Sequence, residues 1–405
     1  MADWLEMFDG RLEVNEPFSD QQLSGIPAKR GVVLLTAAGR KPIVLMTAAD
    51  IRARVRTRLS GPQEHERTKL PDLRQIARGV CWKIATGHFE TDLQFLELSA
   101  AISPKKHTSQ LAWKPAWFVH VDPQADYPQF ARTREVFAEP GRYVGPLPNA
   151  RAADRFIGAV QDVFELCRDY QCLRKSPRGQ QCSYGQMGRC LRACDGSIPM
   201  EQYRQAVAKA ADFAAGNWRA LREELTQQIK QAANALRFEQ AANMAPRLLR
   251  MAIFDSPAYA FVAPAEDFRF LVVQPGKSSR QAKLFLVDRG EIAVGPPLDY
   301  PPRKRQLQKS LSLMAAHVAP ERPVGRQDRW RIGLVAHYLF SGEQRRGLML
   351  RWASAMTAEC LGQAIEDAAK LLHLKRPKPR SPRGAAGRLK SADKKTCDGE
   401  AAEKN

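Results

Sequence analysis

Runs of apolar, β-branched residues between turn-forming residues predict strands in three parts of the chain. Near the start, GVVLLT (31–36) and PIVLMT (42–47) are separated by AAGRK, which has the composition of a turn. Short strands are predicted again within 111–200. The runs FRFLVV and AKLFLVDRGEIAV, within 268–294, predict a further group of strands.

Helical spacing of apolar residues lies between these strand regions. In TAADIRARVRTRL, Ile51, Val55 and Leu59 recur every four positions, which predicts a helix with Thr47 as its N-cap. The same spacing predicts helices at 92–102 (Leu93, Leu96 and Ala100 on one stripe), near 150–166, and after 294 as far as about 373. Residues 201–253 are strongly helical and have one apolar face, made of Leu221, Leu225, Ile229, Ala232 and Leu236.

These elements predict an α+β protein with six successive parts and no internal repeat. The parts are an N-terminal extension (1–24), an α/β domain (25–110), a region that contains a cysteine cluster (111–200), a helical hairpin (201–253), a small C-terminal α+β region (254–374) and a basic tail of disordered composition (375–405).

The charge of the chain indicates a polyanionic partner. The 405 residues carry a formal net charge of +20. The tail has ten Lys or Arg against four Asp or Glu, so most of the excess lies in residues 1–374. Nucleic acid is the partner that such a surface favours, and the alternative is a surface that only keeps the protein in solution.

The N-terminal stretch lacks the pattern of a secretory signal. No apolar run approaches the roughly 20 residues of a membrane span. We therefore expect a cytoplasmic protein without a membrane partner. In that compartment clustered cysteines are more often metal-binding or catalytic than disulfide-bonded.

Five of the eight cysteines lie between residues 167 and 194. Four of them read Cys172-x9-Cys182-x7-Cys190-x3-Cys194, with Cys167 as a spare, and no histidine lies nearby. Four thiolates suit either zinc or an iron–sulfur cluster, and the irregular spacing slightly favours the cluster. A reduced structural group of cysteines is the remaining interpretation.

The stretch from RYVGPLPNARAADRFIGAVQDVF to CSYGQMGRCLRACDG resembles the UvrC family of excinucleases. The resemblance implies a 4Fe-4S cluster on Cys172, Cys182, Cys190 and Cys194. Upstream, residues 26–59 and the helix ETDLQFLELSAAI are similar to the family's GIY-YIG nuclease domain. Downstream, ALRFEQAANMAPRLLRM is similar to its UVR hairpin, which contacts UvrB. The chain is closest in architecture to short relatives with a single nuclease domain.

The resemblance places a degenerate nuclease site in the α/β domain. Such a site needs a base, a cation for the phosphate and a metal ion. The family's phosphate-binding arginine maps to Arg54 and its Mg²⁺-holding glutamate to Glu97. Its two motif tyrosines map to Val33 and Val44, which have no titratable group. The next motif residues, a glycine and a lysine, map to Met46 and Thr47.

Other residues bear on the catalytic and partner roles. Candidate replacement bases are His65, Glu64 and His88. In the UVR-like stretch, the family's pattern is matched by Leu236, Phe238, Glu239, Ala241 and Ala242, and it implies Phe238 and Glu239 as contacts to UvrB. An Arg-Asp pair of the family is replaced by Ala245 and Pro246. Because proline breaks the hydrogen-bond ladder of a helix, the second helix is predicted to kink or end near Ala245.

Three hypotheses follow from the sequence. The first is a UvrC-like DNA-repair protein of nucleotide excision repair that binds double-stranded or damaged DNA and has a weakened or lost Mg²⁺-dependent endonuclease. The second is a non-catalytic DNA-binding accessory scaffold. The third is an unrelated, zinc-stabilised nucleic-acid-binding protein. A UvrB-like partner follows from the first hypothesis, although Pro246 counts against it.

Overall fold

The computed structural model describes residues 4–14, 20–59, 73–316, 324–352 and 356–376. Apart from its first two residues, the predicted basic tail lies outside the described residues. Among the described residues, no helix combines the length and apolar character that crossing a bilayer requires.

The first part of the chain forms an antiparallel sheet with a helix on each face. Its elements are β1 (Gly10–Glu13), α1 (Asp20–Ser24), β2 (Gly31–Thr36), β3 (Pro42–Ala48), α2 (Ile51–Leu59), β4 (Gly79–Ile84) and α3 (His88–Ile102). The strand order is β1-β4-β2-β3. The predicted β2–β3 pair is confirmed, and so is α2 with Ile51, Val55 and Leu59 buried. The sheet also takes a strand from residues 10–13, ahead of residue 25.

The predicted N-cap of α2 is wrong. Thr47 lies in β3, which continues to Ala48. The carboxylate of Asp50 accepts a hydrogen bond from the amide of Ala53 at 2.9 Å and supplies the cap instead. An aspartate next to the first helical residue can accept from the free amides of the first turn.

The middle of the chain forms a second sheet, which is covered by helices. Its elements are β5 (Trp117–Val121), β6 (Ala131–Thr133), β7 (Arg142–Leu147), α4 (Ala150–Phe164), α5 (Tyr170–Leu173), α6 (Ser183–Gln186) and α7 (Met200–Asp212). The strand order is β6-β5-β7-β8, and β8 (Ala263–Pro264) comes from further along the chain. Helices α4 and α7 pack on this sheet through Phe156, Val160 and Val207.

The two helices that follow, α8 (Trp218–Asn234) and α9 (Phe238–Met251), form the predicted hairpin. Leu236 is not on its buried face, because α8 ends at Asn234 and Leu236 is 74% exposed in the turn. The second helix is predicted to kink or end near Ala245, and it does not end there, since α9 runs through Pro246 to Met251. Its last turns are held by Leu248 and Met251, which pack into the core of the middle sheet.

The C-terminal region forms a third sheet with helices on both faces. Its elements are β9 (Arg269–Pro275), β10 (Gln281–Asp288), β11 (Glu291–Val294), β12 (Leu298–Asp299), α10 (Lys304–Ala315), α11 (Arg326–Leu339), α12 (Glu343–Arg346), β13 (Leu348–Arg351) and α13 (Ala358–Asp367). The main order is β11-β10-β9-β13. One face packs on α10 and α13, and the other packs on α11 and on α3 of the first part.

Helix α3 therefore lies between two sheets. Phe95 and Leu98 pack against Val32 of the first sheet. From the same helix, Phe89 points into the core of the third sheet, with its ring 5.3 Å from the rings of Phe285 and Tyr338. The helix proposed to carry the nuclease glutamate is thus covered on the side away from its own sheet.

Candidate functional site

The two valines at the tyrosine positions are part of a hydrophobic core. Val33 is fully buried in β2 and lies opposite Met46 of β3. Val44 lies opposite Leu35 and is partly buried against the same core. That core is completed by the apolar face of α2. These valines therefore hold α2 on the sheet and contribute no proton donor or acceptor.

The structure places Arg54 and Glu97 on opposite faces of the first sheet. Arg54 is an exposed residue of α2, which packs on the face that carries Val33. Glu97 belongs to α3, which packs on the face that carries Val32. Side chains of neighbouring strand positions point to opposite faces. The arginine and the glutamate are thus not brought together around one phosphate.

The carboxylate of Glu97 has a partner from a distant part of the chain. The Arg331 guanidinium of α11 lies 3.6 Å from the Glu97 carboxylate. Arg331 also lies 3.5 Å from Asp328, a buried residue of its own helix. A guanidinium beside Glu97 neutralises the charge that a Mg²⁺ ion would otherwise balance.

Two other acids of α3 are also bound by residues of the C-terminal region. The Glu90 carboxylate is buried and forms an ion pair with Lys283 of β10. It also accepts hydrogen bonds from the amide and hydroxyl of Thr86, both at 2.8 Å. Asp92 accepts a hydrogen bond from the Tyr338 hydroxyl at 2.7 Å and lies 3.3 Å from Arg345. Residues 283–345 thus neutralise all three acids.

One of the proposed replacement bases can be placed. The Nδ1 atom of His88 lies 3.3 Å from the Arg30 guanidinium, and burial together with that cation lowers the pKa of the imidazole. His88 begins the helix that carries Glu97, nine residues earlier, so they are about 13 Å apart along the axis. His88 is therefore not a base at the Glu97 carboxylate. Glu64 and His65 lie outside the described residues.

The five clustered cysteines occupy a loop region against α4 and α7. Cys172 lies in α5, Cys182 immediately precedes α6, and Cys194 lies in a short 3-10 turn. Cys190 and Cys194 are buried, and Cys167 is partly buried beside the core that includes Tyr203. All five are free thiols.

The pKa values of these thiols depend on one another. Burial is the largest cause that raises the pKa of the Cys190 and Cys194 thiols, and it raises that of Cys167 to about 12. Negative charge on Cys182 adds to this rise in each case, and it also raises the pKa of Cys172. The pKa of Cys167, which is a spare in the sequence pattern, is thus raised by Cys190, Cys194 and Cys182 in addition to burial.

Asp169 engages Cys172. The thiol donates a hydrogen bond to the Asp169 carboxylate at 3.2 Å, which raises the pKa of this thiol to about 11. The same carboxylate accepts from the amides of Gln171 and Cys172 and caps α5. Across the described ranges, no three His, Cys, Asp or Glu side chains are placed so that they could hold a metal ion. The donor chemistry fits a thiophilic group, but the side chains do not enclose one.

The turn of the α8–α9 hairpin presents apolar side chains to solvent. Phe238 is 63% exposed, and Glu239 lies beside it in the first turn of α9. Leu249, three turns further along α9, is 74% exposed. Large apolar side chains that are exposed on one helix mark a candidate contact surface.

Comparison with known proteins identifies the region that contains the cysteines. Residues 116–213 match the model of the UvrC/Cho excinuclease middle domain, and this match includes all five clustered cysteines. This match supports membership of the UvrC family for this region. The matched residues comprise three of the four strands of the middle sheet, β5, β6 and β7, together with α4 and α7.

Curated relatives are similar over a longer stretch than the family model. The UvrABC system protein C of Moorella thermoacetica is 29% identical over 233 residues, which is 56% of this chain and 37% of the relative. That of Rhodopseudomonas palustris is 28% identical over 256 residues, or 63% and 36%. That of Nitrobacter winogradskyi is 30% identical over 232 residues, or 57% and 33%. The chain thus matches about a third of the length of these relatives. No solved structure gives a significant match.

Sequence reasoning missed the cations that bind α3. Lys283, Arg331 and Arg345 follow Glu97 by about 190 to 250 positions. No local motif links them to the acids, because the contact depends on how the third sheet packs on α3. The only signal was the general excess of basic residues.

Proposed function

We propose that this chain is a UvrC-like DNA-repair protein that acts in nucleotide excision repair, and that its nuclease-like domain serves binding and placement more than cleavage. The observation that carries the proposal is the cysteine region, because its five clustered cysteines lie inside the segment that matches the UvrC/Cho middle domain. The formal charge of +20 supports double-stranded or damaged DNA as the ligand.

Weak or absent cleavage is supported by the residues around Glu97. Val33 and Val44 lie in a hydrophobic core, and the Glu97 carboxylate is paired with Arg331. General-base assistance typically contributes about 10²–10⁴-fold to a reaction rate. The site lacks that base, and the Arg331 guanidinium lies beside the carboxylate that would hold the metal ion. Phosphodiester hydrolysis at this site is therefore expected to fall below detection.

For the cofactor we propose a 4Fe-4S cluster held by Cys172, Cys182, Cys190 and Cys194, with zinc as the alternative. Thiolates are the ligands that both centres accept, and thiols release their protons when they bind a metal. To serve as a ligand, Cys172 must exchange its hydrogen bond to Asp169 for the metal. Mg²⁺ at Glu97 enters the proposal only if the nuclease is active.

For the partner we propose a UvrB-like protein that contacts Phe238 and Glu239. Both residues are exposed at the hairpin turn, and α9 stays helical beyond Pro246. The continuation of α9 beyond Pro246 supports this contact. The second candidate function, a non-catalytic accessory scaffold, is favoured by the Glu97–Arg331 pair.

One experiment distinguishes these functions. The full chain, purified without oxygen, is incubated with UvrB, Mg²⁺ and a duplex that carries one bulky lesion, and both binding and strand nicking are measured. Lesion-dependent binding that requires UvrB and is lost in Phe238→Ala supports the repair role. The matched control is Leu313→Ala, an exposed residue of α10 on a different part of the surface.

The other outcomes are equally informative. DNA binding that is the same with and without UvrB favours the accessory scaffold. Stoichiometric zinc without iron or sulfide, together with no response to UvrB, favours the zinc-stabilised protein. Absence of DNA binding at low salt rejects the proposed function.

A further inference from the structure

A groove lies on the solvent side of α4, where this helix passes the end of α9. It is lined by Arg151, Asp154, Arg155, Gly158, Ala159, Asp162, Arg168, Arg250 and Ile253, and its volume is about 420 Å³. The opposite face of α4 is buried in the middle core through Phe156 and Val160. Arg151 and Arg155 are separated by one helical turn, so they lie along the same stripe as Gly158.

The acids of the groove are already neutralised by other arginines. Asp154 forms an ion pair with Arg132 of β6. Asp162 forms one with Arg168, inside the groove. The carboxylates therefore do not cancel the remaining positive charge.

Three arginines are left to face the groove. Arg250 donates to the backbone carbonyl of Asp162 at 2.9 Å and forms a long ion pair, 4.0 Å, with the Glu165 carboxylate. Arg151 and Arg155 are exposed and have no ion-pair partner among the residues that the structure describes. The groove thus combines an open volume with two uncompensated guanidinium groups, those of Arg151 and Arg155, and Arg250 lies beside them.

The floor of the groove is open because residue 158 is a glycine. A Cβ atom at this position would have only the Arg168 guanidinium within reach, at 4.0 Å. Guanidinium groups bind phosphate oxygens in a bidentate geometry that favours them over ammonium groups. A chain with a formal charge of +20 offers such a groove to a polyanion.

We propose that this groove binds the phosphodiester backbone of nucleic acid, with Arg151, Arg155 and Arg250 as the contacts. The inference rests on the proposed function, DNA binding, and adds the surface that performs it. Arg168 connects this surface to the cysteine region. It follows Cys167, donates to the Gly158 carbonyl at 3.2 Å, and lies over the ring of Tyr184 at 5.1 Å.

The test compares two double variants of the full chain that remove the same charge. Arg151→Gln with Arg155→Gln alters the groove, whereas Arg305→Gln with Lys309→Gln alters exposed residues of α10. Affinity for a fluorescein-labelled 20-base-pair duplex is measured by anisotropy over a series of NaCl concentrations. Each lost phosphate contact lowers the salt slope by about 0.9, so the groove variant should lose about 1.8 and the control less than about 0.5.

A third variant, Gly158→Leu, fills the groove without changing the charge, and leucine is a better helix former than glycine. It should weaken binding at least about tenfold while its thermal unfolding stays cooperative. Equal losses of salt slope in the two double variants, or wild-type affinity in Gly158→Leu, would overturn the proposal that the groove binds DNA. A wild-type chain that does not bind DNA at low salt would instead reject the proposed function.

Discussion

The Arg331 guanidinium of α11 lies 3.6 Å from the Glu97 carboxylate of α3, where the family resemblance places a metal-binding glutamate. An arginine at this distance balances the charge of the carboxylate without a metal ion. The pair also joins the first sheet's helix to the C-terminal region. It therefore bears on both the catalysis and the architecture of the chain.

We expect little or no Mg²⁺-dependent nicking by the isolated protein. Because Glu97 is paired and the tyrosine positions hold valines, Glu97→Ala should nick no less than the wild type. Supercoiled plasmid relaxation on agarose gels measures this directly. Robust wild-type nicking that disappears in Glu97→Ala would contradict the prediction, and would mean that another residue performs the tyrosines' work.

Restoring a motif tyrosine should damage the fold before it helps the chemistry. Val33 has no exposed surface, so a tyrosine there must displace its neighbours, which typically costs about 1–3 kcal/mol. We expect Val33→Tyr to lower the urea midpoint. Val44→Tyr is the matched control, since Val44 is only partly buried on the edge strand β3 and should lose less. Equal midpoints for Val33→Tyr and wild type would show that the core has room for the ring.

The Glu90–Lys283 pair should contribute strongly to stability. Removing one partner of a buried pair leaves a charge without compensation and typically costs about 3–5 kcal/mol. We expect the loss of unfolding free energy in Lys283→Met to lie near the lower end of this range, since Thr86 still donates two hydrogen bonds to Glu90. The measurement is urea unfolding. Lys304→Met, which removes an exposed pair with Glu359, should leave the free energy of unfolding unchanged. Equal effects in both would contradict the prediction.

Two histidines should make the stability depend on pH. Burial lowers the pKa of His88 and His337, and the Arg345 guanidinium lowers both further, while Asp92 acts in the opposite direction. Below an ordinary pKa of about 6.5, these histidines bind protons in the unfolded chain but stay neutral in the folded chain. Their contribution is therefore present above that pH and is lost as the pH falls below it.

Urea midpoints at pH 7.5 and 5.5 test this. Carboxylates also titrate toward acid pH, so the decisive quantity is the difference between proteins. The double variant His88→Gln with His337→Gln should lose less stability between these pH values than the wild type. The control is His373→Gln, at an exposed position, which should behave as the wild type does. Equal pH dependence in the double variant and the wild type would remove the histidines as the cause.

The cysteine region should hold iron and sulfide. Protein isolated without oxygen should be brown, with broad absorption at about 400 nm. Cys190→Ser should lose the colour, and Cys167→Ser, a neighbouring thiol that the family pattern does not require, should keep it. Metal and acid-labile sulfide analysis gives the stoichiometry. Zinc without sulfide in the wild type would contradict the cluster.

Local patterns predicted the local elements well. The β2–β3 pair and the buried stripe of α2 followed from alternation and from spacing by four, because each depends on neighbours in the sequence. The N-cap of α2 was misplaced by three residues, since β3 extends further than its apolar run indicated. The continuation of α9 beyond Pro246 depends on tertiary packing, which outweighs the local cost of proline.

The surroundings of the candidate site could not be predicted in this way. The sequence located Glu97 through a family motif, but its partner Arg331 comes from α11, which packs beside α3 on the same face of the third sheet. The role of Val33 as a core residue was similarly hidden, because burial depends on where α2 packs. The cysteines converge because the loop packs on α4 and α7, which spacing alone does not specify.

Helix α3 contributes Phe95 and Leu98 to one core and Phe89 to another. A fragment that ended after the α8–α9 hairpin would expose Phe89 and its neighbours to water. A fragment that began after the hairpin would lack α3, and the face of the third sheet that packs on α3 would be exposed. The first and last parts of the chain are therefore not independently folding units, although the middle region and the hairpin separate them in sequence. Recombination that exchanges the nuclease-like part between proteins must carry the C-terminal sheet with it to yield a soluble product.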